Sequence, residues 1–152
     1  MQVSNKLIRS VLVVDDDRDD FELVEEAMKE VDPDVNVDFL SSCEEGKNYP
    51  WTGVDLLLLD INMPHHDGFA WLKGLREHGL DRLPIVMYTN SLSPAHISRA
   101  YTEGANLYFA KPESYPSLVK GMNGLLSMDW SDPSGVTKEY VDTGKYRVFK
   151  GE

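Results

Sequence analysis

Cysteine is almost absent from the sequence, since Cys43 is the single example among 152 residues. An internal disulfide is therefore excluded, and the composition suits a reducing compartment such as the cytosol. Long apolar runs are also missing, because none approaches the roughly 20 residues that a membrane-spanning helix needs. The opening MQVSNKLIRSVLVVDDD passes from a short apolar run to three acids, which predicts neither a signal peptide nor an anchor. We expect a cytoplasmic protein without a membrane partner.

Basic charge is scarce as well. The chain has 15 lysines and arginines against 26 acids, which gives a net charge of -11. A phosphate backbone would be repelled by this excess, so nucleic acid is not an expected partner. Apolar residues make up 41% of the chain, and 152 residues are enough for one domain with a sizeable core.

The sequence does contain a repeated alternation of apolar runs of strand length with amphipathic helical segments. The runs cover residues 10–14, 35–40, 54–60, 84–89 and 106–110. All but the second are nearly continuous, as in parallel strands that are buried on both faces. Helical patterns follow four of them, whereas segment 41–53 is ambiguous and its opening SSCEEG could start a short helix. The order predicts an α/β fold, (βα)5, in which five parallel strands are doubly wound between helices.

Charged and hydroxyl side chains end or directly follow four of the five predicted strands. They are Asp15, Asp16, Asp17, Asp60, Thr89 and Lys111. Ligands of open α/β sheets bind at the carboxyl ends of the strands, so we expect these side chains to converge there. Carboxylates held close together repel each other and favour a hard divalent cation such as Mg²⁺. A lysine can pair with a phosphoryl oxygen and a carboxylate can act as nucleophile, so the set predicts a phosphoryl-transfer site.

Four segments of the sequence, taken in order, resemble one protein family. They are VLVVDDD, LLLLDINMPHHDG, MYTN and YFAKP, and the likeness extends over residues 8–128. This ordered set resembles the response-regulator receiver domains, of the stand-alone CheY-like kind. The resemblance implies a flavodoxin-like fold and a single-domain response regulator of a two-component phosphorelay. Such a protein takes a phosphoryl group from a histidine kinase or a phosphotransfer protein, and catalyses at most its own phosphoryl transfer and dephosphorylation.

The resemblance implies a role for each acid of the site. Asp60 would be the phosphoacceptor. Asp16 and Asp60 would bind Mg²⁺ together with the backbone carbonyl of Asn62, and Asp15 would act mainly through water. From the residues alone, Asp15 and Asp16 could equally cap the first helix, because acids are common at helix starts.

The resemblance also implies a switch beside the phosphoryl group. Lys111 would hold that group, Thr89 would contact it on activation, and Tyr108 would be the aromatic switch residue. The fourth helix, the last strand and the last helix of the repeat would form a surface that changes and then binds a protein partner or a second copy. From the residues alone, Thr89 could be a turn residue and Tyr108 plain core.

Two positions depart from the family pattern. The residue after Thr89 is usually small, but it is Asn90 here, at the predicted mouth of the phosphoryl pocket. Glu113 follows the KP pair, where an aromatic or apolar residue is common. We expect Asn90 to restrict small phosphoryl donors and water, whereas Asn62 could assist the attack of water. The segments DDDRDDFELVEEAM and GANLY also resemble receivers that partner phytochrome-type kinases.

Two other functions fit the sequence less well. A haloacid-dehalogenase-type phosphatase also uses an aspartate nucleophile with Mg²⁺, but it places this nucleophile on the first strand. It also needs a second aspartate two residues later, and Asn62 occupies that position here. The other alternative is a receiver-like module that binds partners without phosphorylation, which the intact set of residues disfavours.

Residues 129–152 form a C-terminal extension beyond the receiver pattern. Its segment EYVDTGKYRVF could be a hairpin that turns at Asp142-Thr143-Gly144, where glycine suits the left-handed position. An isolated hairpin is marginal in water, so it would have to pack on the receiver or on a partner. The extension is too short for a DNA-binding or catalytic output domain. We therefore expect the signal to pass by protein contact or by onward phosphoryl transfer.

Overall fold

The computed structural model describes residues 7–42, 46, 48–63 and 66–151. Five parallel strands form one sheet, and α-helices cover both of its faces. The strands are β1 Ser10–Val14, β2 Asn36–Leu40, β3 Leu56–Leu59, β4 Ile85–Thr89 and β5 Leu107–Ala110. The helices are α1 Arg18–Val31, α2 Gly68–Glu77, α3 Pro94–Thr102, α4 Tyr115–Ser127 and α5 Pro133–Tyr140. Two short antiparallel pairs join Asn62–Met63 to His66–Asp67 and Val141–Asp142 to Lys145–Tyr146.

The strand order across the sheet is β2-β1-β3-β4-β5, and every neighbouring pair is parallel. The predicted doubly wound, flavodoxin-like α/β fold is therefore confirmed. The order reverses between β1 and β3, and a crevice at the carboxyl ends of these two strands is the usual ligand site of such sheets.

The four leucines of β3 explain why its sequence shows no alternation. All four are fully buried. Leu56 and Leu58 face the core under α1 and α4, whereas Leu57 and Leu59 face the core under α2 and α3. Each buried leucine contributes about 1.5–3 kcal/mol through the hydrophobic effect, so the central strand anchors both layers.

The connection between β2 and β3 differs from the repeat. The described part of this connection has 3-10 structure, at Gly46, at Asn48 and at the turn Trp51–Gly53, rather than an α-helix. The short helix suggested for SSCEEG falls largely on residues 43–45, which lie outside the described residues. Trp51 packs on this side of the core, with its ring centroid 5.4 Å from that of Tyr49 and 5.7 Å from that of Trp71.

The C-terminal extension contains a helix, α5, which the sequence analysis missed. Its start is nevertheless typical, because Asp132 accepts a hydrogen bond from the Gly135 N–H at 3.2 Å and Pro133 occupies the first turn. The two-residue strands after α5 pair across the segment where a hairpin was suggested, and Gly144 there has a φ of 74°. No helix in the described ranges combines the length and apolar character that crossing a bilayer demands.

The end of the chain lies along β5, the edge strand of the sheet. The Phe149 N–H donates to the Tyr108 carbonyl at 2.8 Å, and the Ala110 N–H donates to the Phe149 carbonyl at 3.2 Å. The two segments run parallel at this point. The Phe149 ring is buried in the core under α1 and α4, where Gly124 leaves room for it: an added Cβ would lie 2.9 Å from the ring. We call residues 141–151, which follow α5, the tail. The end of the tail therefore covers an edge that would otherwise present unpaired backbone groups.

Candidate functional site

Two buried carboxylates stand side by side where β1 and β3 end. The backbone ladder of the sheet continues for one more residue, because the Asp15 N–H donates to the Leu40 carbonyl at 3.1 Å and the Asp60 N–H donates to the Val14 carbonyl at 3.0 Å. Asp15 and Asp60 are only 1% and 6% exposed, whereas Asp16 is open to solvent. Carboxylate oxygens of these three aspartates all lie within 4.8 Å of one another.

The capping role is taken by the third acid of the run. Asp17 is the N-cap of α1, and its carboxylate accepts from the backbone N–H of Asp19 at 2.9 Å and of Asp20 at 3.3 Å. The alternative in which Asp15 or Asp16 caps this helix is therefore wrong. Instead, Asp15 accepts from the Asp17 N–H at 3.0 Å, which fixes its carboxylate at the edge of the crevice.

Lys111 reaches into the same place from the end of β5. Its ammonium lies 2.9 Å from Asp15, 2.8 Å from Asp20 and 3.7 Å from Asp60. The Lys111 N–H also donates to the Thr89 carbonyl at 2.9 Å, which ties the ends of β4 and β5 together. Asp20 is a site residue that the sequence analysis missed. The available signal was its place in the first turn of α1, three residues after the N-cap Asp17.

The charge balance of the site shows in two pKa values. Burial raises the pKa of the Asp60 carboxyl to about 6, and although Lys111 lowers it, the Asp15 carboxylate raises it further. The Asn62 N–H, 3.3 Å from the Asp60 carboxylate, and the Thr89 hydroxyl also oppose the rise. Burial alone would lower the pKa of Lys111, but its hydrogen bonds to Asp20 and Asp15 raise it instead. The acids therefore outnumber the positive charge that faces them.

The donor set fits a hard divalent cation. Three carboxylates converge, with oxygen as the donor atom throughout. They border a cavity of about 170 Å³, which leaves room for water and a phosphoryl group beside a cation. The cavity is lined by Asp15, Asp16, Asp17, Asp20, Asp60, Asn62, Thr89, Asn90 and Lys111. The absence of a side chain at Gly68 lets the start of α2 pack against the backbone of Asp60, since an added Cβ there would lie 2.5 Å from the Asp60 carbonyl oxygen.

The family model of the response regulator receiver domain matches residues 11–123. The chain belongs to this family. Receiver domains are signalling domains that work with histidine kinases or phosphotransfer proteins and bind Mg²⁺ at an acidic aspartate cluster. The sequence-based family assignment is therefore confirmed.

Similar proteins include stand-alone regulators. Response regulator Rcp1 of Synechocystis sp. is 29% identical over 128 residues, which is 77% of this chain and 86% of that protein. The Mn(2+)-bound form of Rcp1 gives a TM-score of 0.69 at 26% identity, over 79% of this chain and 93% of that one. The phosphorylated cyanobacterial phytochrome response regulator RcpA gives 0.72 at 23% identity, over 82% and 95%, and supports the fold alone.

Some relatives are much longer. The chain spans 49% of the transcriptional regulatory protein GltR of Pseudomonas aeruginosa, at 33% identity over 78% of this chain. It spans 3% of hybrid signal transduction histidine kinase M of Dictyostelium discoideum. These matches are to a receiver portion of proteins that carry other parts.

In this receiver, the predicted switch residues are joined by one hydrogen-bonded loop. Tyr108 is fully buried, and its hydroxyl donates to the Ser91 carbonyl at 2.8 Å. The Ser91 N–H donates to the hydroxyl of the buried Thr89 at 3.4 Å. The Ser91 hydroxyl lies 2.7 Å from Nδ1 of His96, on the first turn of α3. Ser91 and His96 carried no signal in the sequence, because their contacts depend on how the loop after β4 folds back.

The two predicted access residues lie at the mouth of this receiver's cavity. Asn62 and Asn90 both line it, and both are exposed. The effect of Asn90 on entry and the part of Asn62 in water attack stay predictions. Glu113, the other departure from the family pattern, is exposed just before α4.

Proposed function

We propose that this protein is a single-domain response regulator that accepts a phosphoryl group on Asp60 from a histidine kinase or a phosphotransfer protein. The observation that supports this most is the position of Asp60, buried between Asp15 and the Thr89 hydroxyl with the Lys111 ammonium 3.7 Å away. In this proposal residues 8–128 are the receiver, and residues 129–152 are an extension that packs against it.

The proposed reaction is a nucleophilic displacement at phosphorus. A carboxylate oxygen of Asp60 attacks, the P–N bond to the donor's imidazole breaks, and the imidazole nitrogen keeps the electron pair and takes up a proton. Lys111 would pair with a phosphoryl oxygen, and the Thr89 hydroxyl would donate to another. Because the pKa of Asp60 is about 6, the carboxylate is mostly ionised, and so nucleophilic, at neutral pH.

Charge neutralisation in the site needs more than one lysine. Mg²⁺, when bound by Asp16, Asp60 and the backbone carbonyl of Asn62, with Asp15 acting through water, would offset the negative charge of the carboxylates and the phosphoryl oxygens. This role is consistent with the three convergent carboxylates.

Intact mass measurement tests the proposal directly. The protein is incubated with Mg²⁺ and phosphoramidate, whose P–N bond resembles that of phosphohistidine, and we expect one added phosphoryl group. The Asp60→Asn variant and the parent in EDTA should stay unmodified, whereas the control Asp142→Asn, in the exposed part of the tail, should be modified like the parent. A phosphoryl group on Asp60→Asn would contradict the assignment. Lack of modification of both the parent and Asn90→Ala, in which small donors should enter more freely, would favour the phosphorylation-independent module.

The proposed output is a change of the surface formed by α3, β5 and α4. These elements correspond to the fourth helix, last strand and last helix of the predicted repeat. In the structure the chain's own tail lies on this surface, since Tyr146 stacks on Tyr101 of α3 at 5.9 Å and Phe149 pairs with β5. We propose that a protein partner or a second copy binds here and meets the tail together with the receiver.

A further inference from the structure

Both backbone polar groups of Tyr108, the predicted switch residue, are linked to the tail, the carbonyl directly and the N–H through Tyr101. The Tyr108 carbonyl accepts from the Phe149 N–H at 2.8 Å. The Tyr108 N–H donates to the Tyr101 hydroxyl at 3.0 Å, and that hydroxyl in turn donates to the Arg147 carbonyl at 2.7 Å. Tyr108 is thus held between the tail on its backbone side and the loop after β4 on its side-chain side.

The Tyr101 side chain connects β5 to the tail. Its single oxygen accepts from β5 and donates to the tail, so both of its hydrogen-bonding roles are used within the chain. The residue is 8% exposed, and its ring stacks on Tyr146 with an angle of 19° between the planes. A shift of the β5 backbone at Tyr108 therefore changes the distance that the Tyr101 hydroxyl has to bridge.

The tail is also packed tightly enough to resist such a shift. The Phe149 ring lies 4.9 Å from Phe109 and 6.3 Å from Tyr140, in edge-on arrangements. An added Cβ at Gly151 would lie 2.8 Å from the Cα of Gly121 in α4. Since packed interfaces have discrete arrangements, the tail either keeps its bonds to Tyr108 or leaves its place.

We propose that Tyr101 is a positioning residue that couples the docking of residues 147–151 to the inward position of Tyr108, and thereby to phosphoryl binding at Asp60. The last part rests on the proposed function. In the structure the docked tail, the buried Tyr108 and the Thr89 hydroxyl directed to Asp60 occur together. Linkage requires that a change which loosens one of them weakens the others, and that phosphoryl binding strengthens tail docking by the same factor.

The variant Tyr101→Phe tests this with a minimal change, because it keeps the stacked ring and removes the bridging oxygen. Beryllofluoride with Mg²⁺ serves as the phosphoryl mimic, and NMR-detected amide exchange at Phe149 reports tail docking. We expect beryllofluoride to bind about fivefold more weakly to the variant, with exchange at Phe149 about fivefold faster. In the parent, saturating beryllofluoride should slow that exchange.

Two further variants control this experiment. Tyr115→Phe removes a hydroxyl that donates to Glu30 on α1, away from the tail, and should leave both readouts at the parent value. Phe149→Ala loosens the tail without touching Tyr101 or the acidic cavity, and should also weaken beryllofluoride binding. The double variant of Tyr101→Phe with Phe149→Ala should bind the mimic no more weakly than the weaker single variant, because both act through the docking of the same segment.

The outcomes separate this inference from the proposed function. Faster exchange at Phe149 in Tyr101→Phe with unchanged beryllofluoride affinity would overturn the coupling, and unchanged exchange would overturn the positioning role. A parent protein that binds no beryllofluoride would count against the proposed function instead. The exchange at Phe149 and Tyr108 in Tyr101→Phe would then still decide whether Tyr101 positions these two residues.

Discussion

The carboxyl end of the sheet and its β5 edge differ in how their polar groups are satisfied. At the carboxyl end, Asp15, Asp16 and Asp60 converge, and the pKa of Asp60 is raised because burial disfavours its ionised form, although the charge of Lys111 opposes the rise. At the β5 edge, Phe149 completes the backbone pairing of the strand and buries its ring. In the first region a carboxylate is buried at an electrostatic cost, whereas in the second the backbone groups are paired and the side chain is packed in the core.

This difference indicates that the free energy of ligand binding is gained at the acidic carboxyl end of the sheet and can change the packing at the β5 edge. A cation would relieve repulsion at the acidic end, so its binding stabilises the arrangement there. The Thr89–Ser91–Tyr108 hydrogen bonds connect this end to β5, and the tail is attached to Tyr108. The packing of the tail on the β5 edge can therefore depend on the state of the acidic carboxyl end, as the Tyr101 coupling requires. The predictions below alter one region at a time.

The largest expected effect comes from breaking the stable region. Trp130, just before α5, is 1% exposed and its ring N–H donates to the Leu125 carbonyl at 2.8 Å. Trp130→Ala should lower the free energy of unfolding by about 3–5 kcal/mol, as for other large-to-small changes in a core. Urea denaturation measures this, with the exposed Leu92→Ala as control, which should change it by less than about 0.5 kcal/mol. A near-neutral Trp130→Ala would mean that the extension is not part of the core.

Relieving the acidic region should have an effect of opposite sign. In EDTA at pH 7.5, Asp60→Asn should be more stable than the parent by about 3 kcal/mol, because it removes a charge that burial disfavours and that the Asp15 carboxylate repels. The pKa of Asp60 is above its unfolded value of 3.8, so the folded state binds its proton more tightly. The parent therefore loses this stability as pH rises from about 4 to about 6, and the gap to Asp60→Asn is constant above that.

The pH profile of the difference in unfolding free energy checks the assignment. Parent and Asp60→Asn are compared by urea denaturation between pH 4 and 8 in EDTA, so that other titrating groups cancel. Asp142→Asn, at an exposed position after α5, provides the matched control and should track the parent at every pH. A gap that opens above about pH 7, or a less stable Asp60→Asn, would contradict the proposed origin of the strain.

Cation binding should stabilise the same region by a smaller amount. At a concentration ten times its dissociation constant, Mg²⁺ should raise the free energy of unfolding of the parent by about 1.4 kcal/mol. Asp16→Asn removes the exposed carboxylate of the cluster and should lose most of this gain, whereas Asp142→Asn should keep it. Thermal denaturation with increasing Mg²⁺ gives the measurement. Equal gains in parent and Asp16→Asn would remove Asp16 from the proposed ligand set.

The sequence predicted the acidic region well for a physical reason. Strands that are buried on both faces have continuous apolar sequences, so their ends are visible, and parallel strands place those ends at one edge. Asp15, Asp60 and Lys111 could therefore be brought together before any coordinates were known. Asp20 was missed because a helix acid in a run of acids looks like a capping or solvated residue.

Most of the structure at the β5 edge could not be predicted from the sequence. The helix α5 has eight residues, and its start signal is a single Asp-Pro pair. The contact of Phe149 with β5 uses backbone groups, which every sequence possesses, and the Tyr101–Arg147 bond joins residues 46 positions apart. Neither leaves a periodic pattern. The same holds for the Ser91–His96 contact, which depends on the path of one loop.

Asn90 lies where the two regions meet, and its removal should have the smallest effect. It lines the cavity between Thr89, which acts on Asp60, and Ser91, which holds the Tyr108 hydroxyl. Its exposed side chain adds bulk and hydrogen-bonding groups at the mouth. In Asn90→Ala, loading by acetyl phosphate and hydrolysis of the acyl phosphate should both become about threefold faster, a barrier change of ~0.6 kcal/mol.

The comparison of donors sharpens this last prediction. A docked kinase supplies its own orientation, so transfer from a kinase should change less in Asn90→Ala than loading by acetyl phosphate. Asn123→Ala, on the exposed side of α4, serves as the matched control and should leave both rates unchanged. Asn62 acts at the same mouth, so Asn62→Ala should slow hydrolysis if its side chain assists water, and the Asn90 effect should persist in that background. Equal or lower rates in Asn90→Ala would show that its side chain does not restrict entry to Asp60.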